Sequence, residues 1–244
     1  MICFRLRRSL FLLLMPAMAL SLPSPASSLQ ISPILVSFGT DQPAAGVKLQ
    51  NAGGAVLNAQ VRIFAWSQKD GQDVLEPDQG IQASPPMVAI PELGEQLVRL
   101  VRRSRQAPER ELSYRLLIDE LPDGAAAGSN VVNFRVRYSV PVFIAPAGFP
   151  APARLSWRLL QQDHKWMLSA TNQGALHAQL GATTLRWPDG HEVTLSAGLL
   201  GYALAGQTRS WTLPDDLPAP TAGLQVQTSV DHVAVNSNVE LQNR

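Results

Sequence analysis

Short runs of alternating apolar and polar residues recur along most of this chain, separated by turns rich in glycine, proline and aspartate. A period of two is typical of half-buried β-strands, because successive side chains of a strand point to opposite faces. Almost no stretch has the period of an amphipathic helix. In the first half the runs are residues 29–38, 47–51, 56–66, 81–90, 96–101 and 112–121. This half therefore predicts an all-β sandwich of immunoglobulin-like type.

The longest alternating run is NVVNFRVRYSVPVFIAP, residues 130–146. On periodicity alone, its continuous apolar row favours a strand buried in a core. The preceding segment DGAAAGS, residues 123–129, predicts a mobile loop because its residues are small. One face of the run carries Val132, Phe134, Val136, Tyr138, Val140 and Val142, and the other carries Asn133, Arg135, Arg137 and Ser139.

A proline-bearing segment, AGFPAPA at residues 147–153, predicts a linker between two domains. We therefore expect an N-terminal domain over residues 29–146 and a smaller C-terminal β-sandwich over 154–244. The runs that predict strands in the second domain are residues 155–160, 166–172, 178–187, 192–195, 209–213 and 224–235.

The N-terminus predicts export. Residues 1–28 combine three arginines with an apolar run and end in small residues, which is typical of a cleavable signal peptide. An uncleaved anchor is the alternative, but the run is short for a membrane span and contains Pro16. Cleavage after Ser28 removes three arginines and no acid, so the formal charge falls from +1 to −2. No later stretch is apolar enough to insert into a membrane.

This composition excludes several chemistries. The single cysteine, Cys3, lies in the signal, so the mature chain has no disulfide, thiolate ligand or cysteine nucleophile. Its charge gives no global basic field for nucleic acid. The sequence also lacks a nucleophile elbow and a phosphate-binding glycine loop. The histidines have no metal-ligand spacing and are interpreted as surface or turn residues: His164, His177, His191 and His232. We expect no catalytic site, metal or cofactor.

A basic run lies on and after the strand at residues 96–101. It contains Arg99, Arg102, Arg103 and Arg105. One interpretation is a solvated strand edge, and the other is capture of a carboxylate, which suits the forked guanidinium group. Arg135 and Arg137 offer the same chemistry beside the apolar row.

Four motifs together resemble the N-terminal domain of periplasmic pilus chaperones, the PapD-like family. In chain order they are VRIFAWSQKDG (61–71), ASPPMVAIPELGEQLVRL (83–100), SYRLLIDELP (113–122) and NFRVRYSVPVF (133–143). Their order and spacing are far more specific than any one motif. The sequence is most similar to the branch that serves archaic, Csu-type (spore-coat-U-like) pili. The second domain resembles the family only weakly.

The resemblance implies a fold and a function. It implies two immunoglobulin-like β-sandwich domains set at an angle, and a periplasmic chaperone that binds pilin subunits by donor-strand complementation. The subunits then pass to an outer-membrane usher without ATP. In this interpretation Val132, Phe134, Val136 and Tyr138 belong to the lent strand, while residues 140–143 stay in the chaperone's own sheet. An exposed apolar strand also predicts capping by a second copy when no subunit is bound.

The chain departs from the family at the subunit anchor. Better-studied members bind the subunit's C-terminal carboxylate with an arginine and a lysine, and this chain has Leu35 and Pro141 at the matching positions. Arg137 is four residues from Pro141, roughly 13 Å at about 3.3 Å per residue, which is too far for an unchanged anchor. Arg137 and Arg99 are the first candidates for a shifted one.

Two other classes of protein remain as alternatives. A secreted immunoglobulin-like adhesin or carbohydrate-binding module would bind its ligand through loops, independently of any pilin. A secreted β-rich enzyme would cluster titratable groups in a cleft.

Overall fold

The computed structural model describes residues 29–122, 135–215 and 217–242. All regular structure in these ranges is β-strand. Two successive β-sandwiches contain it, so the prediction of an all-β protein with two immunoglobulin-like domains is confirmed. Within the same ranges no helix has the length and apolar character needed to cross a bilayer.

The first sandwich contains two sheets. One has the strand order β1-β3-β8-β6, and the other has β2-β10-β9-β4-β5, with β7 also paired to β4. The strands are β1 (Leu29–Ser32), β2 (Val36–Phe38), β3 (Ala44–Asn51), β4 (Leu57–Lys69), β5 (Gln72–Pro77), β6 (Ile81–Ser84), β7 (Met87–Ile90), β8 (Glu95–Arg102), β9 (Leu112–Glu120) and β10 (Arg137–Ile144).

Two runs interpreted as single strands are each divided between the two sheets. The run 29–38 breaks after Ser32, so that β1 pairs with β3 while β2 pairs with β10. The run 81–90 breaks at Pro85 and Pro86, so that β6 pairs with β8 while β7 pairs with β4. Proline has no N–H to donate to a ladder, which explains why pairing stops at these positions. The sequence signal was therefore correct for strand but wrong for continuity.

Alternation places one face of each strand in the first core. In β9, Tyr114, Leu116 and Ile118 are buried there, and in β10 Val140 and Val142 join them. These strands pair with Arg137 opposite Asp119 and Pro141 opposite Arg115. The predicted inward row of residues 138, 140 and 142 is thus observed, whereas Arg137 and Ser139 are exposed.

The strands of the second sandwich are hydrogen-bonded in one continuous order, β14-β13-β17-β18-β11-β12-β16, and β15 also pairs with β13. Its last predicted strand, residues 224–235, is a hairpin. Asp231 and His232 form its turn, both with positive φ, and the chain reverses from β17 into β18. The strands are β11 (Leu155–Gln162), β12 (Lys165–Asn172), β13 (Ala178–Arg186), β14 (Glu192–Ser196), β15 (Gly201–Ala203), β16 (Thr208–Thr212), β17 (Gln225–Val230) and β18 (Val233–Gln242).

A separate apolar cluster joins the two sandwiches. Trp66 of β4 and Phe143 of β10 pack against Tyr202 and Leu204, and the partly buried Leu35 packs against the cluster. The Trp66 and Tyr202 rings meet edge to face with centroids 5.4 Å apart. This set, which we call the interdomain cluster, fixes one end of β10 against the second domain.

Gln68 adds the polar part of this junction. Its side-chain Nε2 donates to the carbonyl of Tyr202 at 2.7 Å, and its Oε1 accepts from the N–H of Leu204 at 3.0 Å. Its backbone N–H donates to the side chain of Gln207. Gln68 is buried, so these backbone groups of the second domain have no water to replace it.

We expect Gln68→Ala to loosen the junction, because it leaves buried backbone groups unpaired at a cost of about 1–3 kcal/mol. Chemical denaturation followed by tryptophan fluorescence should show a lower midpoint, and small-angle scattering should show a wider distribution of molecular dimensions. Gln50→Ala, at an exposed position of β3, is the matched control and should change neither. Equal behaviour of the two variants would contradict this role for Gln68.

Candidate binding edge and interdomain cleft

The candidate site begins with an unequal pairing of β10. One edge of this strand pairs with β9 over its whole length, from Arg137 to Ile144. The other edge pairs with β2 only at Val142, Phe143 and Ile144. For residues 137–141 no strand within 29–122, 135–215 and 217–242 occupies that second edge. An edge that no described strand pairs is a place where a strand from another molecule can add to a sheet.

The predicted lent residues fall on both sides of the start of this strand. Val132 and Phe134 lie outside the described residues. Val136 is half-buried, and its carbonyl accepts a hydrogen bond from the N–H of Glu120 at 3.1 Å. The side chain of Tyr138 packs against the first core, and its hydroxyl donates to the carbonyl of Leu29 at 3.0 Å. The ring of Tyr138 therefore contributes to the chain's own sandwich.

Arg137 is already engaged by a carboxylate. Its Nε donates to Asp119, which also accepts from Nη2 of Arg62 at 2.5 Å. Burial alone would raise the pKa of Asp119, but the hydrogen bonds and positive charges of Arg137 and Arg62 outweigh burial and lower that pKa. A subunit carboxylate would have to compete with Asp119 for Arg137.

Arg99 lies away from this group. It belongs to β8, in the other sheet of the first sandwich, where it is exposed opposite Gly46 and Ser84. The two candidate anchors, Arg137 and Arg99, are therefore not brought together into one site.

The rest of the basic run has divided roles. Arg102 is buried, and its guanidinium donates to the carbonyls of Gly39 and Thr40 at 3.1 and 3.0 Å. It also donates to the carbonyl of Gln106 at 3.2 Å. Arg102 thus supports two loops, so it fits neither the solvated-edge nor the carboxylate-capture interpretation of the run. Arg103 is exposed.

The cleft between the domains contains Leu35 and Pro141, the two residues at the positions where better-studied members carry the anchoring arginine and lysine. Val36 pairs with Val142, so one residue earlier in this parallel ladder Leu35 is beside Pro141. Leu35 is half-buried against the interdomain cluster, and Pro141 is buried opposite Arg115. Two apolar side chains therefore form this part of the cleft.

Arg115 is a cation beside this part of the cleft. Its guanidinium carbon lies 3.7 Å from the ring centre of Trp66 and 5.3 Å from that of Tyr202. Burial lowers the pKa of Arg115, while Tyr202 and Asp73 act in the opposite direction. Among the described residues, no carboxylate forms an ion pair with it. The neighbouring Asp73 instead accepts hydrogen bonds from Trp66 and Gln68, both at 3.0 Å.

Sequence reasoning missed Arg115, although one signal was present. In SYRLLIDEL, alternation places Arg115, Leu117 and Asp119 on the face opposite the core residues of β9. The sequence did not reveal that the second domain covers one end of that face. Trp66 and Tyr202 become neighbours of Arg115 only through this long-range contact.

His177 also differs from its interpretation as a surface or turn residue. Its Nδ1 and its backbone nitrogen each lie 2.7 Å from Oε2 of Glu111. Its ring stacks on Phe143 with centroids 3.6 Å apart. His177 is therefore part of the interdomain contact, and it supports the end of β10 from the second domain.

Comparison with known proteins supplies the family. The profile described as pili and flagellar-assembly chaperone, PapD N-terminal domain, matches residues 28–150. No curated protein matches the chain by sequence.

Solved structures share the fold over nearly the whole chain. One is the chaperone–tip subunit pre-assembly complex of archaic Csu pili from Acinetobacter baumannii, with 24% identity, a TM-score of 0.70 and coverage of 88% of this chain and 99% of that one. The YadV chaperone has 17% identity, a TM-score of 0.62 and coverage of 86% and 99%. The complex of the SafA pilin with the SafB chaperone from Salmonella enterica has 14% identity, a TM-score of 0.59 and coverage of 88% and 96%. At these identities the likeness shows the fold.

Proposed function

Because this chain belongs to the family of pili and flagellar-assembly chaperones, we propose that it binds pilin subunits in the periplasm by donor-strand complementation. In this proposal it delivers them to an outer-membrane usher. The lent strand is the continuation of β10 toward Val132. The single observation that carries the proposal is that, among the described strands, β2 pairs with only the last three residues of one edge of β10, whereas β9 pairs with the whole other edge. The predicted signal peptide supports the compartment.

The edge suits the task because its hydrogen bonds do not depend on the partner's side chains. A sheet edge with free N–H and C=O groups can accept any extended segment, while alternate side chains supply selectivity. The predicted apolar row supplies Val132, Phe134 and Val136. Burial of each is worth about 1.5–3 kcal/mol, or on the order of 5–8 kcal/mol for the three before the ordering cost.

Complexes of fold relatives support the choice of partner. In the Acinetobacter structure a chaperone is bound to a tip adhesion subunit, and in the Salmonella structure a chaperone is bound to a pilin. In our proposal, this chain binds a partner of the same class, a pilin subunit with an incomplete sandwich.

Arg115 is the anchor that the geometry favours for the subunit's C-terminal carboxylate. It lies opposite Pro141 of β10, and no ion pair is seen for it within the described residues. Arg137 and Arg99 remain alternative anchors. Asp119 competes for the first, and the second lies in the other sheet. A carboxylate reaching Arg115 would meet a half-buried cation, so less desolvation of that partner is needed than for an exposed arginine.

We expect Phe134→Asp to abolish recovery of pilin while the chaperone stays folded, because a carboxylate would enter an apolar pocket. The measurement is co-purification of a co-expressed pilin subunit from periplasm, with circular dichroism to check the fold. Phe149→Asp is the control, since Phe149 is fully exposed outside β10. Normal pilin recovery with Phe134→Asp would refute the donor-strand assignment.

We expect Arg115→Gln to weaken subunit binding about tenfold to a hundredfold, the range for loss of a hydrogen bond to a charged group. Arg99→Gln and Arg137→Gln are compared with it by titration against the same subunit. A large loss at either of these two, with none at Arg115, would transfer the anchor to that residue. Removing the subunit's C-terminal carboxylate should eliminate the difference between Arg115→Gln and wild type.

A further inference from the structure

One indole ring lies between a cation and an acid at the interdomain cleft. The guanidinium carbon of Arg115 lies over the face of Trp66, 3.7 Å from the ring centre. At the edge of the same ring, Nε1 of Trp66 donates to Oδ1 of Asp73 at 3.0 Å. Because an indole N–H points outward in the plane of its ring, the acid lies beside the ring while the cation lies over it. Arg115 and Asp73 are thus close neighbours, and among the described side chains no ion pair joins the two.

Donors from both domains hold the carboxylate of Asp73 in this position. Its Oδ1 also accepts from Nε2 of Gln68 at 3.0 Å. Its Oδ2 lies 3.6 Å from Nε of Arg209, a residue of β16 in the second domain. Arg209 in turn donates to Oε1 of Gln72 at 3.0 Å. A movement of the Asp73 carboxylate onto Arg115 would cost these contacts, so the acid stays beside the cation without pairing with it.

The charge of Asp73 nevertheless acts on Arg115. Burial lowers the pKa of Arg115, and Tyr202 and Asp73 oppose that shift. A nearby carboxylate stabilises a half-buried arginine in the free protein, and it repels any second carboxylate that approaches the same arginine. Asp73 is therefore placed to compete with an anionic ligand of Arg115 through its field, without a contact of its own.

We propose that Asp73 limits the affinity of Arg115 for the C-terminal carboxylate of a pilin subunit, so that the anchor binds the subunit weakly enough to release it. The inference rests on the proposed function. Because Asp73 already compensates part of the charge of Arg115, the subunit gains only the remainder when its own carboxylate binds. Asp119 lies on the same face of the sheet, but Arg62 and Arg137 bind its carboxylate. Asp73 is thus the acid that acts on the anchor.

Asp73→Asn tests the inference by a gain of affinity, because loss of folding cannot produce tighter binding. Asparagine keeps an acceptor oxygen for Trp66 and Gln68 but removes the charge. The variant and the wild-type chain, carrying different tags, compete for a limiting amount of a pilin subunit that co-purifies with the wild-type chain. The ratio of the two complexes at equilibrium gives the ratio of affinities, and circular dichroism checks the fold.

We expect the subunit to favour Asp73→Asn by about threefold to tenfold, as loss of one nearby repulsive charge would give. The gain should vanish in an Arg115→Gln background and with a subunit whose C-terminus is amidated, because the anchor or its ligand is then missing. Glu76→Gln is the matched control on the same strand, since it removes an exposed acid that pairs with Lys69. The subunit should divide equally between this control and the wild-type chain.

Two results would overturn the inference and leave the proposed function in place. One is an equal division of the subunit between Asp73→Asn and the wild-type chain, while Arg115→Gln shows its expected loss. The other is a gain that persists in the Arg115→Gln background or with the amidated subunit, because the effect would then not act through the anchor. Unchanged binding by Arg115→Gln would remove the anchor and this inference together, whereas failure of the wild-type chain to bind any pilin would remove the proposed function itself.

Discussion

The edge of β10 that β2 covers only in part, among the described strands, is the constraint to which the rest of the structure responds. A sheet edge with free N–H and C=O groups is a template for aggregation unless it is covered, shortened or charged. Here β2 covers only Val142 to Ile144, while Arg137 places a charge near the other end. Among the described residues, the edge is thus covered by a strand at one end and carries a charge near the other.

The second domain contributes by fixing the end of that strand. Phe143 is stacked on His177 and packed in the interdomain cluster, and Gln68 bonds the backbone of Leu204. The same packing covers Trp66 and brings Tyr202 close to Arg115. One apolar junction therefore holds the strand and also creates a partly desolvated cation beside it, two properties that a single sandwich would not combine.

The sequence predicted the parts of the fold that depend on alternation. The strand regions, the inward row through Val140 and Val142 and the family are confirmed, because each rests on local pattern or ordered motifs. The sequence did not predict that the chain passes from one sheet to the other near Pro33 and Pro85. A proline indicates where strand pairing stops, but not which strand the next segment pairs with. Arg115 and His177 were missed because their partners, Tyr202 and Glu111, are distant in sequence.

In the proposed function, the boundary between the residues that the chaperone keeps and those that it lends follows from how Tyr138 and Val136 are bound. Tyr138 is committed to the first core and to the carbonyl of Leu29, so transferring it to a partner would open the chain's own sandwich. Val136 is held by one backbone hydrogen bond from Glu120. In the proposed function the lent part of the row therefore ends at Val136, before Tyr138. The apolar row is thus one strand by sequence pattern, but its part from Tyr138 onward packs in the chain's own core. That part begins next to Arg137, which Asp119 binds.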